Sequence, residues 1–154
     1  MAEKFTTKER KKEFDKLYKE IILPFLEGAG FKHVTKTSKR VFREFQLGLS
    51  VYIYFEYINF GSGFYRINIV FYDDDFGREN DDGMYIAAAS IRRPEIRGND
   101  VVELNASVEQ WKDEMNAKVF PFIDYHSTHH ALLNSQELHI TPGVEDLLQR
   151  KSRK

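Results

Sequence analysis

With 154 residues, no cysteine and a formal net charge of −1, the chain is sized for one domain with a real core, and disulfides, thiolate catalysis and cysteine zinc sites are excluded. The near-neutral balance gives no overall reason to expect a nucleic-acid binder, which is normally basic. Hydrophobic residues at 42% and charged residues at 31% are ordinary for a globular protein, but 13 Phe, 8 Tyr and 1 Trp require large flat side chains through much of the core and on some surface.

The opening stretch, MAEKFTTKERKKEF, lacks the apolar centre of a signal peptide, and no later run approaches about 18 apolar residues. A cytoplasmic protein without membrane association is the expectation. The first element is an amphipathic helix from about Lys8 to Glu27, with Phe14, Leu17, Tyr18, Ile22 and Leu26 at helical spacing. Thr6 with Glu9 fits a capping box, and Gly28 or Gly30 provides the stop. Pro24 predicts a kink or a tightened last turn. The charged residues of this helix, Arg10 among them, read as a solvated face with mixed ion pairs, the alternative being a stripe for a polyanion.

Phe31 to Arg43 carries Lys32, Lys36, Lys39, Arg40 and Arg43 and no acid. With Phe42 and Phe45 interleaved it is the best local nucleic-acid candidate, against the reading that it leads into an edge strand near Val41–Leu47 guarded by lysine. Residues 49–73 then give two alternating runs around Gly61-Ser62-Gly63, a hairpin. With its apex at Gly61, Phe55 faces Ile67, Ile53 faces Ile69 and Val51 faces Phe71 on a core face, while Glu56 meets Arg66 on the other.

The acidic run Asp73, Asp74, Asp75, Glu79, Asp81 and Asp82 does not follow the EF-hand pattern and reads as a polar connection. A strand is expected over Met84–Ile91 and a short further one over Val101–Leu104. Ser107 with Gln110 is read as opening a second helix, whose stripe is Val108, Trp111, Met115, Val119 and Phe122. Pro121 interrupts it as Pro24 interrupts the first, and the wording LPFL and FPFI is echoed at the two sites. A short helix over Thr128–Leu133, a last helix from Pro142 to about Arg150 capped by Thr141, and a frayed tail over 150–154 complete the chain.

For chemistry, His126, His129 and His130 stand at spacings that put imidazoles on one helix face, where they could share a metal, with Asp124 and Glu137 nearby. The HExxH order is missing. The serines, Ser135 among them, lie outside any GxSxG elbow, and the Gly61–Gly63 turn is neither a P-loop nor a dinucleotide turn.

The residues ILPFLEGAGFK at Ile22–Lys32, FREF at Phe42–Phe45, RINIVFY at Arg66–Tyr72 and VFPFID at Val119–Asp124 together resemble a bacterial family catalogued as domain of unknown function 4304. The resemblance implies an α+β fold and transfers no activity, cofactor or catalytic residue.

The expected fold is therefore a single α+β domain, an antiparallel sheet of four or five strands with two long helices packed on one face. The expected function is that of a non-enzymatic interaction protein, such as an immunity or adaptor protein, whose partner is another protein or a second copy of the chain. Nucleic-acid association through Lys32–Arg43 and a metal-dependent hydrolase using the histidines are the alternatives, and no cofactor is implied. The partner surface is placed on the sheet face away from the helices, at Phe42, Tyr52, Tyr54, Phe64, Arg66 and Tyr72, with Val70 beside them. The competing reading is that Arg92–Asn105 or the last helix folds over this face and makes it a second core.

Overall fold

The computed structural model describes residues 4–77 and 84–153. Its first helix, α1, runs unbroken over residues 7–28. Thr6 Oγ1 accepts the Glu9 N–H at 3.1 Å while Glu9 accepts the Thr6 N–H at 2.9 Å, so the capping box is complete. At the other end Phe31 N–H reaches back to Leu26 O, and Gly30, at φ +93°, makes that reversal without strain. Past Pro24 the last turn of the helix is tightened, Ala29 N–H and Gly30 N–H bonding the carbonyls three residues back, Leu26 O and Glu27 O, at 3.0 Å each. The turn ahead of the proline, Tyr18–Ile22, is widened into a π turn in which Leu23 N–H bonds Tyr18 O. A proline lacks its own N–H and crowds the carbonyl four residues back, and the wider turn removes that conflict.

Among the described residues seven strands are formed where four or five were expected: β1 (Lys32–His33), β2 (Arg40–Glu44), β3 (Leu49–Ile58), β4 (Phe64–Asp73), β5 (Ala87–Ala89), β6 (Glu95–Ile96) and β7 (Leu138–Ile140). All pairs are antiparallel, in the order β1-β2-β3-β4-β5-β7, with β6 also on β4. The extra strands are two or three residues long, too short to leave a period. The strand expected over Met84–Ile91 shrinks to β5. Phe55 pairs with Ile67, Ile53 with Ile69, Val51 with Phe71 and Glu56 with Arg66, the register read from the alternation. Strand β2 is not an edge, because β1 folds back onto it.

The second long helix, α2, spans residues 101–125 and begins six residues before the expected Ser107. Val101 and Val102 suggested a strand, but Asp100 accepts the Glu103 N–H at 2.9 Å and Glu103 takes the Asn99 N–H at 2.8 Å, so the cap overrides β-branched propensity. Ser107 lies inside the helix and accepts the Arg97 N–H at 2.8 Å. A second π turn, Met115–Val119, precedes Pro121. Helix α3 (His129–Leu133) is capped by Thr128, and α4 (Glu145–Ser152) starts later than the expected Pro142. None of these helices is long and apolar enough to cross a membrane.

The two long helices, of 22 and 25 residues, pack on one face of the sheet. Phe14, Ile22 and Leu26 from α1 and Leu104, Val108 and Trp111 from α2 share one buried cluster with Val51, Ile53, Ile67, Ile69 and Phe71. Arg10, expected in the solvated face, is only 3% exposed. Its Nε donates to Gly98 O at 3.0 Å and Nη2 to Asn99 Oδ1 at 3.0 Å, which pins the turn into α2 against α1.

Candidate functional site

The three histidines do not converge. His126 closes α2 and is fully buried. Its Nδ1 lies 2.7 Å from Phe122 O, which only accepts, so Nδ1–H donates there, and Nε2 shares a hydrogen bond with the Ser135 hydroxyl at 2.7 Å. Ser135 Oγ in turn accepts the Glu137 N–H at 3.1 Å. This Ser–His contact, invisible in the sequence, has no carboxylate on the ring and a serine oxygen engaged on both sides; it ties the end of α2 to the turn before β7. His129 instead opens α3 and bonds Asp73 through Nε2 at 2.6 Å, while His130 is exposed. A helix break between 126 and 129 destroys the single face that the spacing assumed. Among the described residues no group of three or more His, Cys, Asp or Glu side chains is arranged to hold a metal.

Asp73 was read as the start of a polar loop; it is the last residue of β4 and is completely buried. Besides His129 it accepts the Asp75 N–H at 2.8 Å, and both its carboxylate oxygens lie 2.9 Å from Lys151 Nζ. Lys151 also meets Asp75 at 2.8 Å and Leu47 O at 2.9 Å. Desolvation pulls its pKa down, but the hydrogen bonds and charges of Asp73 and Asp75 outweigh that, and the net shift is upward. Lys151 lies in the tail expected to fray, and the ion pair is what keeps α4 wound to Ser152. Glu79, Asp81 and Asp82 of the acidic run lie outside the described residues.

The basic stretch is largely committed to internal contacts. Lys39 pairs with Asp15 at 2.7 Å, Arg43 with Asp124 at 2.6 Å, and Arg40 lies over the Tyr54 ring. On the sheet face away from the helices, Phe42 stacks on Tyr52 with centroids 5.4 Å apart, Tyr52 meets Tyr72 at 4.9 Å, and the Tyr54 and Tyr72 hydroxyls bond at 2.9 Å. Tyr72, Val70 and Phe64 are buried although they lie outside the main cluster; Phe42, Tyr52, Tyr54 and Arg66 are half-buried. Arg97 covers the Phe64 ring at 3.8 Å and Arg93 donates to Asn68 Oδ1 at 2.6 Å. The segment after β5 thus sends two arginines onto this face. Its rings form an interlocked ladder rather than a continuous exposed apolar patch.

A larger concavity lies on the outer flank of α2. A groove of about 1150 Å³ runs between this helix and the segment 91–99, with Glu137 at its edge. Along α2 it is bordered from Glu103 to Tyr125, which at 1.5 Å per residue is about 33 Å. Its cations are Arg92, Arg93, Arg97 and Lys118. Its acids, Glu95, Glu103, Glu114 and Glu137, match them in number. Burial, and then the nearby charge of Arg66, lower the pKa of Arg93, with Glu56 opposing. No sequence signal marked this site, because its wall mixes Trp111 and Phe122 of the apolar stripe with residues of α2 outside it and with a segment without period. No protein-family model, curated protein or solved structure matches the chain.

Proposed function

We propose that this chain is a non-enzymatic interaction protein of the immunity or adaptor kind, and that it holds an elongated segment of a partner polypeptide in the groove along α2. The length of the groove carries the reading. Small-molecule sites are compact cavities, whereas about 33 Å accommodates about ten residues of extended chain at 3.3 Å each. The balanced charge favours a polypeptide over a polynucleotide, since four glutamates interleaved with the cations repel a phosphate backbone. Lys39, Arg40 and Arg43 are committed to internal contacts and the histidines diverge, so neither the nucleic-acid nor the hydrolase alternative gains support from them. The aromatic sheet face is the weaker surface, because its rings already satisfy one another.

The test is capture of partners from the host followed by cross-linking and mass-spectrometric mapping. Cross-links from Lys118 and loss of capture by Ala106→Arg, with Tyr52→Ser/Tyr54→Ser retaining it, are the expected results. Capture unaffected by Ala106→Arg, or cross-links confined to the sheet face, would overturn the assignment of the groove.

A further inference from the structure

A second concavity, of about 590 Å³, lies on the sheet face away from the helices, over β4 and β5. Its position follows from how β4 is paired. β5 stands beside Val70 and Phe71, and β6 beside Tyr65 and Arg66, so residues 67–69 of β4 have no strand on that side among the described residues. Residues 90–94 connect the two short strands across this gap. The residue opposite Val70 is Ala88, and its methyl group leaves open the space that a larger side chain would fill.

The walls of this cavity are held in place and its charge is one-sided. Tyr54 and Tyr72 border it with their hydroxyls bonded to each other, and Tyr85 borders it as well. No acid among the described residues does. Arg93 reaches over the gap and donates from Nη1 to Asn68 Oδ1, while the Asn68 amide donates to Glu56 Oε2 at 2.7 Å. Glu56 thus serves Asn68 and, at 3.8 Å, Arg66, and no carboxylate among the described residues stands at ion-pair distance from Arg93. The Nε atom of Arg93 is sealed from solvent, but its Nη2 is neither sealed nor bonded among the described residues. A half-buried guanidinium without a counter-ion is matched by an anion that takes a charge-assisted hydrogen bond. Burial and the charge of Arg66 both act against the charged form of Arg93, a penalty that a bound anion relieves.

We infer that this cavity binds a small organic monoanion, a carboxylate carried on an aromatic ring system, with the carboxylate on Arg93 Nη2 and the ring over Val70 and Ala88 beside the tyrosines. The volume falls within the roughly 300–1,000 Å³ of small-molecule sites, which combine apolar walls with a few converging polar groups. One uncommitted guanidinium matches one negative charge, whereas a phosphate monoester, with about two, calls for a second cation. Arg40, the other cation on the cavity, already lies over the Tyr54 ring. The site is separate from the groove along α2, which Arg93 also borders, and does not rest on the groove being the partner site.

The probes are benzoate, phenylacetate and indole-3-acetate, each beside its neutral amide, with inorganic phosphate as the alternative anion. Binding to the full chain is measured by isothermal titration calorimetry and ligand-observed NMR. At least one of the three acids is expected to bind with Kd below about 1 mM, and its amide and phosphate at least about tenfold more weakly. Arg93→Gln is expected to weaken that acid about tenfold, and Ala88→Leu, which fills the floor, to abolish binding, both with the far-UV circular dichroism of the natural chain. The comparison of acid with amide requires no change to the protein. No binding by any of the three acids at about 10 mM, equal binding of an acid and its amide, or acid binding undiminished in both variants overturns the proposal. Phosphate binding as tightly as the acids overturns the carboxylate assignment.

Discussion

Replacing Lys151 by Met tests whether the buried ion pair governs the C-terminal half of the fold. The substitution keeps most of the side-chain volume and removes the charge, leaving Asp73, with no solvent access, to its bonds from His129 and from Asp75 N–H. Removing one partner of a buried pair costs about 3–5 kcal/mol, because the remaining charge has lost its counter-ion. Lys151 also binds the carbonyl of Leu47, a non-glycine residue at φ +58°, so the turn into β3 loses its anchor as well. Against a total stability of about 5–15 kcal/mol this is a large fraction, and at about 2–4 °C per kcal/mol it lowers Tm by about 6–20 °C. Urea unfolding followed by Trp111 fluorescence measures it, with Asp15→Asn at the exposed Lys39 pair as a control expected to change stability by less than about 1 kcal/mol. Because the pKa of Lys151 is raised in the folded chain, its contribution is complete below the ordinary lysine pKa of about 10.4 and fades as pH rises through the higher folded value. Lys151→Met is expected to lack that alkaline loss. A destabilisation below about 1 kcal/mol at pH 7 would refute the reasoning and make the pair equivalent to a surface bridge.

Ile53→Ala and Ile69→Ala, which face each other at the centre of the hairpin with at most 1% exposure, are each expected to lose about 2–5 kcal/mol in urea denaturation; losses under about 0.5 kcal/mol at both would contradict the pairing. His126→Ala and His129→Ala are each expected to lose about 1–3 kcal/mol by leaving buried partners unsatisfied, while exposed His130→Ala stays within about 0.5 kcal/mol; equal effects at all three would argue for a shared surface role. Deleting Lys118 removes the extra residue of the second π turn and places Pro121 in a regular helix, an expected loss of about 3 kcal/mol that Pro121→Ala in the same chain restores in large part; additive losses would show that proline and wide turn are independent.

The hairpin was legible because its two strands carry ten-residue alternating patterns and an opposite-charge pair that agrees with the hydrophobic register. The α1 capping box was legible for the same kind of reason: two signals coincide at Thr6 and Glu9. Two cap signals compete at the start of α2. Ser107 with Gln110 imitates a cap, but Asp100 with Glu103 has the same spacing and stands directly before the helix. The tail was misread because Lys151, judged by its neighbours in KSRK, gives no sign that it is paired with a residue 78 positions earlier. The groove was illegible for a related reason. It is a gap between α2 and β6, and only the three-dimensional placement of Gly98, Trp111 and Glu137 brings its walls together.

One further feature was present in the sequence in another form. Arg10, Phe14, Tyr18, Ile22 and Leu26 recur at steps of four, as do Trp111, Met115, Val119 and Ile123, and all are buried. A regular α-helix turns about 100° per residue, so each four-residue step drifts by about 40°, and three steps carry a stripe about 120° away from the sheet. A π turn has more residues per turn and takes part of that rotation back. In both helices the π turn falls within the stripe and directly ahead of the proline, so one local defect serves two needs: it keeps a period-four stripe on the core, and it frees the proline from the carbonyl behind it. The echoed wording LPFL and FPFI meets in space through Phe25 and Phe120, stacked at 5.6 Å, with Phe25 also against Trp111 at 5.7 Å. Lys118 and Pro121, from the second of these turns, border the groove. The wall of the groove is therefore shaped by the same packing that seats Trp111, and a change in the length of that turn acts on the core and on the groove at once.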